Sequence, residues 1–137
     1  MRYLLDTNVC VDYLTGRYPS VAARLRTLGP AMVCLSSVVV AELRYGADKS
    51  AQPRRNHRML DALTAEISCR AFDSAAAASY GKVRTDLERR GRPIGPNDML
   101  IAAHAMSLGL VLVTNNVREF GRIDRLSLED WREAPES

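Results

Sequence analysis

The sequence has few of the residues that bind soft metals or form cross-links. Its 137 residues include only three cysteines, Cys10, Cys34 and Cys69, and two histidines, His57 and His104. The cysteines are far apart and lie in apolar segments without a Cys-x-x-Cys pair, so we expect reduced core residues. The histidines do not have the spacing of a zinc site. A metal ion in this protein would therefore have to be held by oxygen.

Long apolar runs are absent as well. No stretch reaches the roughly eighteen apolar residues that a membrane-spanning helix needs. Asp6 interrupts the first apolar run too early for a signal peptide. We therefore expect a cytoplasmic protein without a membrane segment. Because there is no repeat, low-complexity segment or linker, residues 1–137 are predicted to form one domain.

The positive charge comes almost entirely from arginine, since Lys49 and Lys82 are the only lysines among 19 basic residues. The net charge is +3 and the calculated pI is about 9.0. The planar guanidinium group suits phosphate, although a biased genomic base composition also enriches arginine. Taken alone, this composition is a weak indication of a nucleic-acid partner.

Short apolar runs alternate with helix-length segments. Strands are predicted at residues 2–5, 31–35, 67–72, 110–114 and 126–128. Helices are predicted at residues 8–15, 20–28, 37–47, 54–65, 74–90 and 97–108, with Ser37 and Asp73 as N-caps and Gly29 and Gly109 following helix ends. This alternation is typical of an α/β fold with a mainly parallel sheet, in which ligands bind beyond the carboxyl ends of the strands.

Three acids occupy positions where such a site would lie. Asp6 directly follows the first strand, while Glu42 and Asp98 fall on predicted apolar helix faces. Each has a simpler explanation: Asp6 can cap a helix, Glu42 can reach solvent or an arginine, and Asp98 can compensate a helix dipole. A shared cation, however, would explain all three acids together.

The predicted face of Glu42 consists of Val38, Ala41, Glu42 and Tyr45, spaced as one helical stripe. Carboxylate oxygens without thiol or imidazole partners select Mg²⁺ or Mn²⁺. Such an ion can activate water and neutralise charge on a phosphoryl group, so phosphodiester hydrolysis fits. The three acids could serve either one ion or two.

The fourth predicted strand ends in Thr114, Asn115 and Asn116, and Glu119 follows shortly after. These polar groups could form an outer shell around a metal site, with Glu119 as a fourth carboxylate. Alternatively, Asn115 or Asn116 caps a short helix that begins here. Both interpretations remain open at this point.

Taken in order, these segments resemble the PIN-domain ribonucleases and, within them, the VapC toxins of bacterial toxin–antitoxin pairs. The matching segments are residues 4–8, 36–46, 92–98 and 113–120. The resemblance implies a three-layer α/β/α fold with a five-stranded parallel sheet. It further implies Mg²⁺- or Mn²⁺-dependent cleavage of structured RNA, with tRNA as the first candidate, inhibition by a VapB-type antitoxin, and a homodimer.

Position by position, Asp6, Glu42 and Asp98 match the acidic positions of that family, with Asp6 and Asp98 as the most direct metal ligands. The resemblance also places Asn8 in a supporting role beside Asp6. Many relatives carry a further acid where this chain has Asn115 and Asn116. The resemblance implies that Glu119 takes its place.

RNA binding is predicted to depend on cations, because phosphates dominate the affinity. The better-placed candidates are Arg89, Arg90 and Arg92, beside the loop that leads to Asp98. A second cluster consists of Arg54, Arg55, His57 and Arg58. Either cluster can equally be an ordinary solvated helix face. One tryptophan and two phenylalanines offer no stacking platform like that of an RNA-recognition motif.

Two alternative functions compete with a nuclease. A phosphoryl-accepting receiver domain also gathers acids at strand ends. It would, however, require paired acids near the first strand and a lysine late in the chain, and neither lysine of this sequence lies late. The other alternative is a PIN-fold binding or regulatory module that has lost catalysis. The intact acids Asp6, Glu42 and Asp98 argue against that loss, whereas the missing acid at Asn115 and Asn116 favours it.

Overall fold

Five short parallel strands form the centre of the fold, which a computed structural model describes for residues 1–133. The strands are β1 (Tyr3–Leu5), β2 (Val33–Ser36), β3 (Cys69–Arg70), β4 (Val111–Val113) and β5 (Leu128–Glu129). They lie in the order β3-β2-β1-β4-β5, and each neighbouring pair is parallel. The predicted α/β/α fold with a five-stranded parallel sheet is confirmed.

The connections between the strands are helical. The helices are α1 (Thr7–Thr15), α2 (Pro19–Leu28), α3 (Ser37–Lys49), α4 (Pro53–Glu66), α5 (Ser74–Arg89), α6 (Pro96–Leu108) and α7 (Val117–Phe120). Asp73 caps α5 as predicted, since its carboxylate accepts the Ala76 N–H. Gly109 ends α6 in the left-handed region, with φ of 67°, where a residue without a Cβ is favoured.

The predicted cap of α3 is off by one residue. Ser36, not Ser37, is the N-cap, and its hydroxyl accepts the Val38 N–H. The strand β2 continues into Ser36, so the helix begins directly after it. The Ser37 hydroxyl instead accepts the N–H of Phe72, joining α3 to the loop that follows β3.

Each of the five strands in residues 1–133 is shorter than predicted, including β2 and β3. A 3₁₀ turn at Pro30–Met32 delays the start of β2. At the sheet edge, β3 is only two residues long, and both are exposed. The expectation that all cysteines are core residues is therefore wrong for Cys69, whereas Cys10 and Cys34 are buried.

The centre of the sheet determines where the site forms. Strand β1 is fully buried between β2 and β4, and Leu5 is in register with Val113. The residues that follow these two strands, Asp6 and Thr114, are therefore neighbours at the carboxyl edge. On one side of the sheet, α6 is buried along Ile101–Ala105 and packs against α5.

The segment after β5 packs against the second half of α1. Arg132 donates two hydrogen bonds to the buried Asp12 carboxylate, at 2.6 and 3.1 Å. Its guanidinium group also lies 4.3 Å from the centre of the Tyr18 ring. Trp131 packs edge-on against Tyr3. Trp131 and Arg132 thus hold this segment against β1 and the first two helices.

Within residues 1–133, none of the helices has the length and apolar character required to cross a membrane.

Candidate active site

Asp6 lies at the junction between β1 and α1. Its side chain is only 4% exposed. One carboxylate oxygen accepts the Thr7 N–H at 2.8 Å, and the other accepts the Thr114 hydroxyl at 2.8 Å. Asp6 therefore does cap α1, as one interpretation of the sequence held, but only one of its oxygens serves the cap. The second is held by the neighbouring strand.

Burial is the main reason that the pKa of Asp6 is raised above its usual value. The hydrogen bonds from Thr114 and Thr7 favour the charged form and lower this pKa. The negative charges of Glu42 and Glu119 act in the opposite direction and raise it. The electrostatic coupling indicates that these acids face a common space.

Glu42 reaches the same space from α3. The Thr7 hydroxyl donates to one Glu42 oxygen at 3.0 Å, so Thr7 holds Asp6 with its N–H and Glu42 with its side chain. None of the ion pairs formed within residues 1–133 involves Glu42, so the arginine-paired alternative is wrong for this part of the chain. Thr7 is a site residue that was not predicted, and its only signal in the sequence is its position directly after Asp6.

The helix face that carries Glu42 has the predicted residues. Val38, Ala41, Glu42 and Tyr45 together line one groove, which is open to solvent. The core residues of α3 are instead Val39, Leu43 and Ala47. The run of three valines at 38–40 is apolar on both faces, so spacing alone could not show which face is buried.

Asp98 approaches from the first turn of α6, which begins at Pro96. Its pKa is raised to about 6, mainly by burial and then by the negative charges of Asp6, Glu119 and Glu42. These effects outweigh the helix dipole, which favours a charged carboxylate at this end. No hydrogen bond from the described part of the chain holds the Asp98 carboxylate. Its position in the first turn of α6 fits dipole compensation, while the other three acids add the repulsion that a shared cation would relieve.

Glu119 lies in α7 and connects two loops. One of its oxygens accepts the Gly95 N–H at 3.1 Å, directly before α6, and the other accepts the Asn116 side-chain amide at 2.7 Å. The Asn116 N–H in turn donates to the Thr114 hydroxyl at 3.0 Å. A continuous hydrogen-bonded chain therefore runs from Asp6 through Thr114 and Asn116 to Glu119 and α6.

Both interpretations of the Asn115 and Asn116 turn contain a correct part. A short helix does begin here, with Asn116 at its N-cap position. The Asn116 side chain does not cap it, however, because it donates to Glu119 instead. The side-chain oxygen of Asn115 is buried and accepts no hydrogen bond from residues 1–133. It is an unused oxygen acceptor at the end of β4.

The four acids have the donor chemistry of a hard cation site. All their donor atoms are oxygen, and none of the four is in an ion pair with the described residues. A divalent cation would compensate their mutual repulsion. Even so, no three Asp, Glu, His or Cys side chains in residues 1–133 are already placed to hold one ion. Holding an ion would require the side chains to move closer together.

The remaining predicted site residues differ in whether they contact other side chains. Asn8 is exposed and makes no side-chain hydrogen bond within the described chain. Arg90 is engaged by Asp86 and by the Arg122 carbonyl. Arg89 and Arg92 are exposed, and no ion pair of the described residues involves either of them.

Comparison with known proteins identifies close relatives. The PIN domain model matches residues 3–126. Over 131 residues the chain is 44% identical to the tRNA(fMet)-specific endonuclease VapC of Shigella flexneri, covering 96% of this chain and 98% of that protein. DNA-bound VapBC from Salmonella typhimurium matches with a TM-score of 0.91 and 40% identity, covering 96% and 98%. VapBC2 from Rickettsia felis, bound to a promoter DNA fragment, matches with a TM-score of 0.88 and 39% identity, covering 96% of this chain and 99% of that chain.

Proposed function

The chain belongs to the PIN-domain family, among the VapC ribonucleases, and from this premise we propose that it is a Mg²⁺- or Mn²⁺-dependent endoribonuclease that hydrolyses phosphodiester bonds in structured RNA. The observation that carries the proposal is the convergence of four acids at the carboxyl edge of the sheet without a counter-ion from residues 1–133. Because the Shigella relative is named a tRNA(fMet)-specific endonuclease, tRNA is the first substrate to test.

The topology argues against a receiver domain. Receiver domains of the flavodoxin-like type have the strand order 2-1-3-4-5. This sheet has the order 3-2-1-4-5. Asp6 therefore follows the central strand of a different fold.

Each acid has a distinct role in the proposed reaction. Asp6 is a rigid metal ligand, because two donors fix its carboxylate. Asp98 is the second ligand and is free to adjust. When bound, the cation would supply the charge that neutralises the phosphoryl group and acidifies water. Glu42, oriented by the Thr7 hydroxyl, is placed to orient water and to accept its proton.

Glu119 fits a positioning role. One of its oxygens accepts the Gly95 N–H and the other accepts the Asn116 side-chain amide. These bonds hold the start of α6, and therefore Asp98, against α7. The fourth acid thus supports the geometry of the other three.

The proposed protein partners are a VapB-type antitoxin, as in the VapBC complexes of the relatives, and a second copy of this chain. A groove of about 360 Å³ beside Glu42 is lined mainly by apolar side chains, including Val11, Leu14 and Met59. Val11 is exposed. We propose that an apolar segment of the antitoxin binds there, next to the acids it would inhibit.

The proposal is tested with the purified chain and a set of tRNA transcripts. We expect cleavage with added Mg²⁺ or Mn²⁺, none with EDTA, and products with a 5′-phosphate and a 3′-hydroxyl. Asp6→Asn and Asp98→Asn should be inactive while their circular dichroism and unfolding transitions remain cooperative. The control is Asp61→Asn, which alters an exposed acid paired with Arg44. Cleavage that persists in both site variants would refute the assignment.

A further inference from the structure

A groove runs from Glu42 along the outer face of α3. Thr7, Glu42 and Asn97 line the end nearest the acids, and Tyr45 and Lys49 line the far part. Its volume is about 700 Å³. The groove is therefore continuous with the site proposed for phosphodiester hydrolysis.

Tyr45 is unusually exposed for an aromatic residue. Its side chain is 65% exposed, the largest value among the exposed large hydrophobic residues of the described chain. The Lys49 ammonium group lies 4.8 Å from the centre of the Tyr45 ring. Lys49 takes part in none of the ion pairs within residues 1–133. The face thus combines an open π surface with an uncompensated positive charge.

The helical register places these groups in one line. Glu42, Tyr45 and Lys49 are three and four residues apart and share one face of α3. At 1.5 Å per residue, Tyr45 lies about 4.5 Å and Lys49 about 10 Å from Glu42 along the axis. A stacked nucleic-acid strand advances by about 3.4 Å per nucleotide. This spacing corresponds to one to three nucleotides beside the scissile phosphate.

From this arrangement we propose that the Tyr45–Lys49 face binds the RNA strand next to the cleaved bond, and this proposal rests on the proposed function. The Tyr45 ring stacks on an unpaired base, and the Lys49 ammonium contacts a phosphate. The acids repel phosphates, so a strand entering the site needs a cation close to them. Lys49 supplies that cation on the same helix as Glu42.

The chemistry of the groove favours RNA over a protein occupant. An apolar peptide is better matched by the neighbouring groove around Leu14 and Met59, whose lining is mainly aliphatic. A ring beside an ammonium group instead matches the two parts of a nucleotide, a flat base and a negative phosphate. A second copy of the chain remains an outcome that the experiment must separate.

The first experiment measures RNA binding by fluorescence anisotropy in the Asp98→Asn background, with the initiator tRNA transcript named for the Shigella relative. Tyr45→Leu should weaken binding by about 5- to 100-fold, whereas Tyr45→Phe should retain it. Lys49→Ala should reduce the slope of log affinity against log salt by about 0.7 to 1. The matched controls are Tyr13→Leu and Lys82→Ala.

The second experiment tests stacking directly. Abasic nucleotides are introduced one at a time within three positions of the mapped cut. Removing the base that Tyr45 contacts should weaken RNA binding when Tyr45 is present. The same abasic RNA should cause no further loss of affinity in the Tyr45→Leu variant. If Tyr45 had only a structural role, Tyr45→Leu would lose the same affinity for every RNA, whether intact or abasic.

Three outcomes are decisive. If the unsubstituted chain cleaves the tRNA but Tyr45→Leu binds it equally well, the binding face is wrong and the proposed function stands. If Tyr45→Leu converts a dimer to a monomer in light scattering, a second copy occupies this face. If the unsubstituted chain does not cleave RNA, the proposed function itself fails.

Discussion

Asp6, which caps α1, and Asp12, which lies within it, are almost equally buried but are surrounded by opposite charges. Asp6 is 4% and Asp12 is 3% exposed. Asp12 receives a two-pronged ion pair from Arg132, 120 residues away in the chain. Asp6 receives only the Thr7 N–H and the Thr114 hydroxyl, and it faces other acids. The chain compensates the charge of Asp12 itself, whereas the charge of Asp6 has no counter-ion among the described residues.

The difference separates stability from function on one helix. A buried carboxylate with a guanidinium partner contributes to holding the segment after β5 in place. A buried carboxylate among like charges is an energetic cost to the folded protein, and such costs are typical of functional sites. The two ends of α1 should therefore respond in opposite ways to removal of a charge.

The largest expected effect is the loss of activity at the uncompensated end. Asp6→Asn keeps the shape of the side chain but removes a ligand charge, so we expect RNA cleavage to fall by at least about 100-fold. The free energy of unfolding should not decrease, because repulsion from Glu42 and Glu119 is removed. Cleavage rates and urea denaturation in EDTA measure the two effects. Loss of stability together with activity would place Asp6 in the same class as Asp12.

The next largest effect is on stability at the compensated end. Arg132→Ala leaves the Asp12 carboxylate buried without its partner, which should lower the free energy of unfolding by about 2–3 kcal/mol. This figure allows for the partial exposure of Arg132. Urea denaturation gives the measurement. The folded variant should still cleave RNA, and a selective loss of cleavage without destabilisation would contradict the comparison.

The third effect is a dependence on pH at the uncompensated end. The pKa of Asp98 is raised from 3.8 to about 6, so the folded state binds more protons than the unfolded state between about pH 4 and 6. The stability of the metal-free protein should therefore fall by about 1–2 kcal/mol as pH rises through this range. Denaturation curves in EDTA at several pH values measure it. Because the pKa of Asp6 is raised as well, Asp98→Asn should make the fall in stability smaller without removing all of it. An unchanged pH profile in that variant would show that Asp98 is not a source of the fall.

Strand ends and local motifs made some of this site predictable. Asp6 and Asp98 could be placed because one follows an apolar strand and the other begins a helix after Pro96. The residues that share a face with Glu42 could be predicted too. The exposure of that face could not, since the valines at 38–40 are apolar on both faces of α3. The pairing of Asp12 with Arg132 depends on contacts across the whole chain, for which a single sequence contains no local signal.

The smallest effect tests the group that connects the acids. The Thr7 hydroxyl orients Glu42 while the Thr7 N–H holds Asp6, so Thr7→Val removes the first bond and leaves the second. A hydrogen bond to a charged group contributes about 1.5–3 kcal/mol at most. Because Glu42 is partly exposed, we expect only about a fivefold to tenfold loss of cleavage rate. Thr7→Ser should restore the rate, since serine keeps the hydroxyl. Equal losses in both variants would mean that packing of the Thr7 methyl group, rather than orientation of Glu42, is what the site requires.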